Sequence, residues 1–488
     1  MNTRSRSEQF VSCLIVVILS SAMYISKASF QGLVSPASLF DVDVDFSKII
    51  STNNLSLGVQ IGQEWQAFVK EAELRNRFVD CNFRIVRFFV HHTQPCTSWD
   101  EVTRTGTYDW SRFDQEVQTL QQLNAKMLIA IGHNAADGLP KGMDRNFKGT
   151  GFPNPESFAD YCKEIALHLR SNGWNIEYWE PYNEPNIILQ CGTLNETSYD
   201  ALVDLFNLAS DAVIQVLPSA MFGIDVSKVK SFLDRFAHDS QNVGFLSFHK
   251  YDAGATPMYN PDMQVNNDQI LQRAGNLGRC GLTPQQMTDE WYNLTGVTLP
   301  VFCTETNMNS AYIGGTDPRI QDIVGGVWYA EELRAFVLSN VCYSVYYHLA
   351  SDDSPMWETS KQTKGYGFGM AKSTAPHLLW YPCLVNLVIG SNLNVGDKIC
   401  SCSTSNPTDL SALAWVNNGS YNILLIGKTN LGHARVRVNT ENVNLDENAV
   451  SILKIDGDSS QLQTLREGFT NPFVVSTNGY FVVLLKFS

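Results

Sequence analysis

Two carboxylic acids close apolar, strand-like runs in this chain. Glu184 ends the run Ile176-Glu177-Tyr178-Trp179-Glu180-Pro181-Tyr182-Asn183-Glu184, and Glu305 ends Leu299-Pro300-Val301-Phe302-Cys303-Thr304-Glu305. A carboxyl group at a strand end, preceded by an amide, can be kept protonated near neutral pH by its surroundings and can protonate a leaving glycosidic oxygen. Asn183 can donate a hydrogen bond to a sugar 2-hydroxyl, and such bonds tighten as oxocarbenium-like charge develops. Strand alternation puts Cys303 and Glu305 on one face, with Thr304 and Thr306 on the other. Carboxyls about 5–5.5 Å apart suit double displacement, whereas roughly 6.5–9.5 Å leaves room for the water of an inverting reaction.

Further polar residues gather around these two runs. His249 and Tyr251 lie two apart and share one strand face. His133-Asn134 follows the third strand-like run, and His91-His92 the second. Trp357, Tyr366 and Phe368 supply rings on which sugar C–H faces can stack, although packing is as good a reading and for Phe368 a better one. Glu180 is a rival carboxylate; it lies deeper in its strand, before Pro181, and reads as a structural ion pair. Cys303 reads as a packing residue or disulfide partner rather than a reactive thiol.

Positioning these groups requires a scaffold. From about residue 52 to 375 short β-type runs alternate with amphipathic stretches such as 113–123 and 155–171, the pattern of successive βα units. Eight strands are expected, beginning near Leu57, Ile85, Met127, Ile176, Met221, Val243, Val301 and Ser344. The predicted fold is α/β, a (β/α)8 TIM barrel over 52–375, whose chemistry belongs at the C-terminal ends of its strands. Beyond residue 376 the strand-like runs crowd together with no helix of length between them, which predicts a C-terminal antiparallel β-sandwich over 376–488. Asp41-Val42-Asp43-Val44-Asp45-Phe46 alternates strictly, so residues 39–48 are expected to add a half-buried edge strand to it; a calcium site is the lesser reading of the three aspartates.

Arg4 and Arg6, an apolar run over 10–25 and Ser26-Lys27-Ala28 have the form of a signal peptide spanning 1–28, and the run is too short to cross a bilayer. Removing it takes Cys13 and leaves ten of the eleven cysteines, an even number for an oxidising compartment. Sequons at Asn54, Asn195, Asn293 and Asn418 fit an exported chain.

Here the motifs converge. The barrel region resembles the clan of (β/α)8 retaining glycoside hydrolases with catalytic glutamates on strands four and seven, and most resembles glycoside hydrolase family 39, which includes β-xylosidases and α-L-iduronidases. The resemblance rests on Asn183-Glu184-Pro185-Asn186, on Thr304-Glu305 with Asn307, on Ser247-Phe248-His249-Lys250-Tyr251, and on Tyr108-Asp109-Trp110-Ser111-Arg112-Phe113-Asp114. It implies Glu184 as acid/base, Glu305 as nucleophile, His249 and Tyr251 orienting Glu305 and touching sugar, and Arg87 keeping the nucleophile ionised. Tyr182 and Thr306 stand where the family usually has tryptophan, so the floor of the sugar site differs.

Net charge −14 and 17% charged residues argue against a nucleic-acid partner. Gly-x-Ser-x-Gly, His-Glu-x-x-His and phosphate-binding glycine loops are missing, which disfavours serine, zinc and nucleotide chemistry. No cofactor and no metal are expected. The expected activity is that of a secreted retaining hydrolase of O-glycosidic bonds, β-xylosidase-like or another β-glycosidase, with an oligosaccharide, polysaccharide or glycoside as partner. The competing readings are a transglycosylase and a non-catalytic carbohydrate-binding surface protein. The intact carboxylate pair speaks against the last.

Overall fold

The computed structural model describes residues 38–487 except 63, 134–137, 186–188, 190–195, 229, 254–264, 280, 311–316, 352–366, 431, 444, 446–448, 458–460 and 469. The segment 1–28, Asn134, Asn186, Asn195, Trp357 and Tyr366 therefore lie outside the described residues.

Eight parallel strands close into a barrel: Ser56–Ile61, Ile85–Phe89, Lys126–Gly132, Tyr178–Tyr182, Met221–Asp225, Val243–Tyr251, Val301–Asn307 and Tyr343–Tyr346. They are called barrel strands one to eight below. Their residues alternate between two cores. Ile85, Leu128, Tyr178, Phe245, Phe302 and Val345 point inward and plug the barrel, with the Phe245 and Phe302 rings stacked at 4.5 Å. Outward neighbours such as Val86, Ile129, Trp179 and Tyr346 pack in the larger core with the helices. A filled floor leaves polar inward residues room only near the strands' C-terminal ends.

Local chemistry sets the helix ends. Pro155–Ser171 starts where the Asn154 side chain accepts from the amides of Glu156 and Ser157, with Pro155 in the first turn. Pro284–Thr295 opens on a reciprocal Thr283/Gln286 capping box and ends at Gly296, whose φ of +73° suits a residue without Cβ. Gly58 in strand one has another reason: a Cβ there would lie 2.2 Å from Ile85 Cγ2 and 2.7 Å from the Ile85 carbonyl oxygen. Gly58→Ala is expected to destabilise the barrel by about 1–3 kcal/mol. Calorimetry checks this, and an unchanged unfolding midpoint would show that strands one and two can separate freely.

The remaining strands form one nine-stranded sheet in the order Gln463–Gly468, Ala449–Asp456, Phe481–Phe487, Ser420–Gly427, Leu410–Asn417, Lys398–Thr404, Ser38–Thr52, His433–Glu441, Phe473–Asn478. Every neighbour pair is antiparallel except Ser38–Thr52 with His433–Glu441. The sheet curls on itself in a sandwich-like way: Val42, Val44, Val436, Ile423, Leu425 and Leu485, from strands far apart in that order, share one core. Alternate residues Leu424, Ile426, Leu484 and Trp415 join the barrel's core instead. Burial on both faces explains the nearly continuous apolar runs.

Two expectations need correction. The strand containing 39–48 is not at an edge, because it is paired on both sides; Asp41, Asp43 and Asp45 accept from Arg437, Asn439 and Asn442, so their lone pairs are occupied by neighbours across the strand pair and the loop beyond. The region after 376 also begins with a helix, Tyr381–Ile389, which packs against Ile323–Leu338. Its apolar run is buried nearly all round, and such a run reads equally as a strand.

Candidate active site

The polar layer above the plugged floor is organised by Arg87. Its guanidinium is fully buried and donates to Gln60 Oε1 at 2.7 Å, Glu180 Oε2 at 2.8 Å, Asn183 Oδ1 at 2.7 Å and Glu305 Oε1 at 2.5 Å. Burial by itself would favour loss of its proton, but Glu180 and Glu305 more than reverse this, so the cation is retained. Strands one, two, four and seven are thereby tied at one level. Glu180 is completed by the Ser247 hydroxyl at 2.8 Å, which fits the structural ion pair expected of it.

Glu305 accepts from Arg87 on one oxygen and from the Tyr251 hydroxyl, at 2.6 Å, on the other. Only 6% of its side chain is exposed, against 29% for Glu184. Glu184 has φ +46°, a left-handed conformation uncommon for a residue with a Cβ. The backbone turns there directly after strand four. One oxygen of each carboxylate and a ring nitrogen of His249 all lie within 4.8 Å of one another.

His249 sits between the two acids, with Nδ1 3.0 Å from Glu184 Oε1 and 3.5 Å from Glu305 Oε2. The histidine thus bonds Glu184 rather than Glu305, and the orientation of Glu305 falls to Tyr251 and Arg87. Burial would lower the imidazole pKa, but Glu305 and Glu184 raise it above its ordinary value. Glu184 responds reciprocally: burial would raise its pKa, yet the His249 hydrogen bond and charge, helped by Lys228 and His133, bring it down to about 2. The contact therefore favours the charged form of both partners, carboxylate on Glu184 and imidazolium on His249.

Strand seven departs from strict alternation. Its pairing with strand six shifts register between Cys303 and Glu305. Phe302 faces the barrel interior, while Cys303 lies in the core outside the barrel and feels the charges of Glu332 and Lys250. Cys303 and Glu305 thus do not share a face, because the irregularity re-aims Glu305 inward. Thr306 then faces outward and donates to Glu332 at 2.8 Å. Lys250, on the outer face of strand six, bonds Asp252 at 2.5 Å and Glu332 at 3.2 Å, and Trp328 Nε1 donates to Asp252 at 2.7 Å. This buried network braces strands six and seven from behind. Sequence reasoning passed over it, because Lys250 was the unspecified position between His249 and Tyr251.

Gln60 was missed as well, although a polar residue inside Leu57-Gly58-Val59-Gln60-Ile61 was a usable signal. Around the mouth, His91, His92 and His133 cluster about Phe89, with ring centroids 4.8, 5.3 and 5.7 Å from it. Beside them, past the ends of strands one and eight, His348 Nδ1 meets Glu64 Oε1 at 3.0 Å, and Tyr347 packs edge-on to Tyr251 at 6.4 Å. Phe368 is buried against Tyr347 at 5.4 Å, as the packing reading has it.

Glu184, His249 and Glu305 are, among the described residues, the one set of acidic, histidine or cysteine side chains close enough to share a metal ion. The donor set does not favour a cation there: both oxygens of Glu305 already accept from Arg87 and Tyr251, and the guanidinium repels positive charge. Its chemistry is that of two carboxyls and a shared proton.

No family model and no curated protein matches the sequence. Solved structures do match. A monomeric beta-xylosidase from Caulobacter crescentus CB15 superposes with TM-score 0.62 at 15% identity, covering 91% of this chain and 99% of that one. The GH39 enzyme from Xanthomonas axonopodis pv. citri gives 0.61 at 15%, covering 93% and 98%. A GH30 endoxylanase from Clostridium papyrosolvens C71 gives 0.59 at 13%, covering 92% and 100%. At these identities the likeness is one of architecture, and the chain has the barrel-plus-β-domain fold of these glycoside hydrolases.

Proposed function

We propose that this protein is an exported, retaining glycoside hydrolase acting on β-linked sugars of the xyloside or glucan type, with Glu305 as nucleophile and Glu184 as acid/base. The observation that carries the reading is the approach of one oxygen of each carboxylate to within 4.8 Å of the other. A water serving an inverting reaction needs a gap of roughly 6.5–9.5 Å, while double displacement needs about 5–5.5 Å. In the first step a Glu305 oxygen bonds to the anomeric carbon as the bond to the leaving oxygen breaks, and that oxygen takes a proton from Glu184. In the second step Glu184 removes a proton from water, which displaces Glu305 with a second inversion. The xylosidase and xylanase names of the structural neighbours, and that of CelM2, a bifunctional glucanase-xylanase that also matches, support the sugar class.

Asn183 is held by Arg87 beside the acid and is the group to meet the sugar 2-hydroxyl. His133, with its neighbours around Phe89, lies where it can wall the sugar site. Export is supported by the charge and hydropathy of residues 1–28 and by exposed asparagines at the three described sequons, Asn54, Asn293 and Asn418. Proton NMR of the first-formed sugar from an aryl β-xyloside or β-glucoside tests the mechanism. The β-anomer is expected first, and an initial α-anomer would remove Glu305 from the nucleophile's role.

A further inference from the structure

The sulfurs of Cys81 and Cys383 lie 3.3 Å apart although 302 positions separate them in the chain, and both residues are buried. Cys81 caps the C-terminus of the helix Ala72–Asp80, which leads into strand two. Cys383 lies in the first turn of Tyr381–Ile389, the helix between the barrel and the β-domain. The same end of Ala72–Asp80 also meets the far end of Tyr381–Ile389, through Asn82 Nδ2, which donates to the Gly390 carbonyl at 2.5 Å, and through the Cys81 carbonyl, which packs so closely on Gly390 that a Cβ there would lie 2.5 Å from it. Strands one and eight pair along the same side of the ring, where the first and last βα units close it.

We propose that Cys81 and Cys383 form a disulfide in the mature protein, a covalent clasp across the closure of the barrel. The sulfurs need to approach by only about 1.3 Å to reach bonding distance, and the contacts around Gly390 hold the two backbones in place for it. The reaction is thiol–disulfide exchange. Two thiols lose two protons and two electrons to a donor disulfide, which becomes two thiols, and the oxidant is a disulfide-bearing thiol oxidoreductase or glutathione disulfide. The hydrogen bond between the pair, with burial, raises the Cys81 thiol pKa well above its ordinary value. Thiolate is therefore scarce once the fold is complete, so the bond forms during folding and is afterwards sheltered from reductants. Its occurrence in the cell rests on the export proposed above, but the pairing can be measured independently of export.

The test is to refold the full-length chain in a glutathione redox buffer, alkylate it in denaturant without reductant, digest it and identify the peptides by mass. The peptides holding Cys81 and Cys383 should appear joined and two hydrogens lighter than their sum, with Cys162 and Cys303 alkylated. Adding dithiothreitol during thermal unfolding should lower the midpoint by about 5–10 °C in the wild type. The C81A/C383A variant should show no response to reductant. Alkylation of both Cys81 and Cys383 in the refolded wild type, or a midpoint indifferent to reductant, overturns the proposal. Finding the linkage in protein refolded in glutathione while an expressing host cell retains the chain inside, with the thiols reduced, would overturn export rather than the pairing.

Discussion

On the mechanism proposed above, Glu305→Gln should lose turnover on every glycoside, by about 10⁴-fold or more, because it removes the atom that would bond to the anomeric carbon. Glutamine keeps the shape of the side chain and an oxygen for Arg87, so the loss should come without unfolding, and circular dichroism checks that. Glu184→Ala should behave differently. General acid–base assistance supplies about 10²–10⁴-fold, so alkyl glycosides and natural linkages should lose that much. Aryl glycosides with very acidic leaving groups need little protonation, and their first step should remain. Hydrolysis of the glycosyl-enzyme then becomes slow for want of a base. Added azide should accelerate it and give a glycosyl azide of the substrate's own configuration. Equal losses for Glu184→Ala on good and poor leaving groups, with no response to azide, would take the acid/base role from Glu184.

His249→Asn should move the alkaline limb of the pH–rate profile to lower pH and cost about 10²-fold at pH 7 on substrates with poor leaving groups. In the wild type Glu184 and His249 face each other across 3.0 Å, with the imidazole pKa raised and the carboxyl brought down to about 2, so the pair as a unit is expected to hold one proton between those values. That proton is available until the pH passes the raised His249 value, above the ordinary 6.5. Without the imidazole, burial becomes the dominant influence on Glu184 and pushes its pKa upward, so the carboxyl must hold the proton alone. The sign of the stability effect follows from the same contact. The raised histidine favours folding below 6.5 and loses this as pH rises through its folded value. The depressed glutamate favours folding above 4.5 and loses this as pH falls toward 2. The contact stabilises most between 4.5 and 6.5, and His249→Asn should flatten a plot of unfolding midpoint against pH in that window. An alkaline limb unchanged in the variant would place the catalytic proton elsewhere.

Much of this protein is legible in its sequence, because side-chain periodicity is a local property. Runs beginning near Leu57, Ile85, Met127 and Val301 announced barrel strands, and strict alternation put His249 and Tyr251 on the inner face of strand six, where Tyr251 meets Glu305. Asp41 to Phe46 likewise showed which of its residues face a core. What local pattern lacks is the identity of the neighbours. The same alternation suited an edge strand, yet Ser38–Thr52 lies between two partners, one paired as Thr52 with Lys398 and Val42 with Thr404, the other as Ser38 with Ala434, all from the far end of the chain. The apolar helix Tyr381–Ile389 carried no polar face to mark its period, since it is covered by the barrel's outer helices and the β-domain. On strand seven a register shift after the outward-facing Cys303, braced by Thr306, Glu332 and Lys250, turned Glu305 in. The electrostatic coupling of Glu184 to His249 was also beyond the sequence. It depends on His249 Nδ1 lying between Glu184 and Glu305, and Coulomb interactions at 3.0 and 3.5 Å arise only when strands four, six and seven close into one ring.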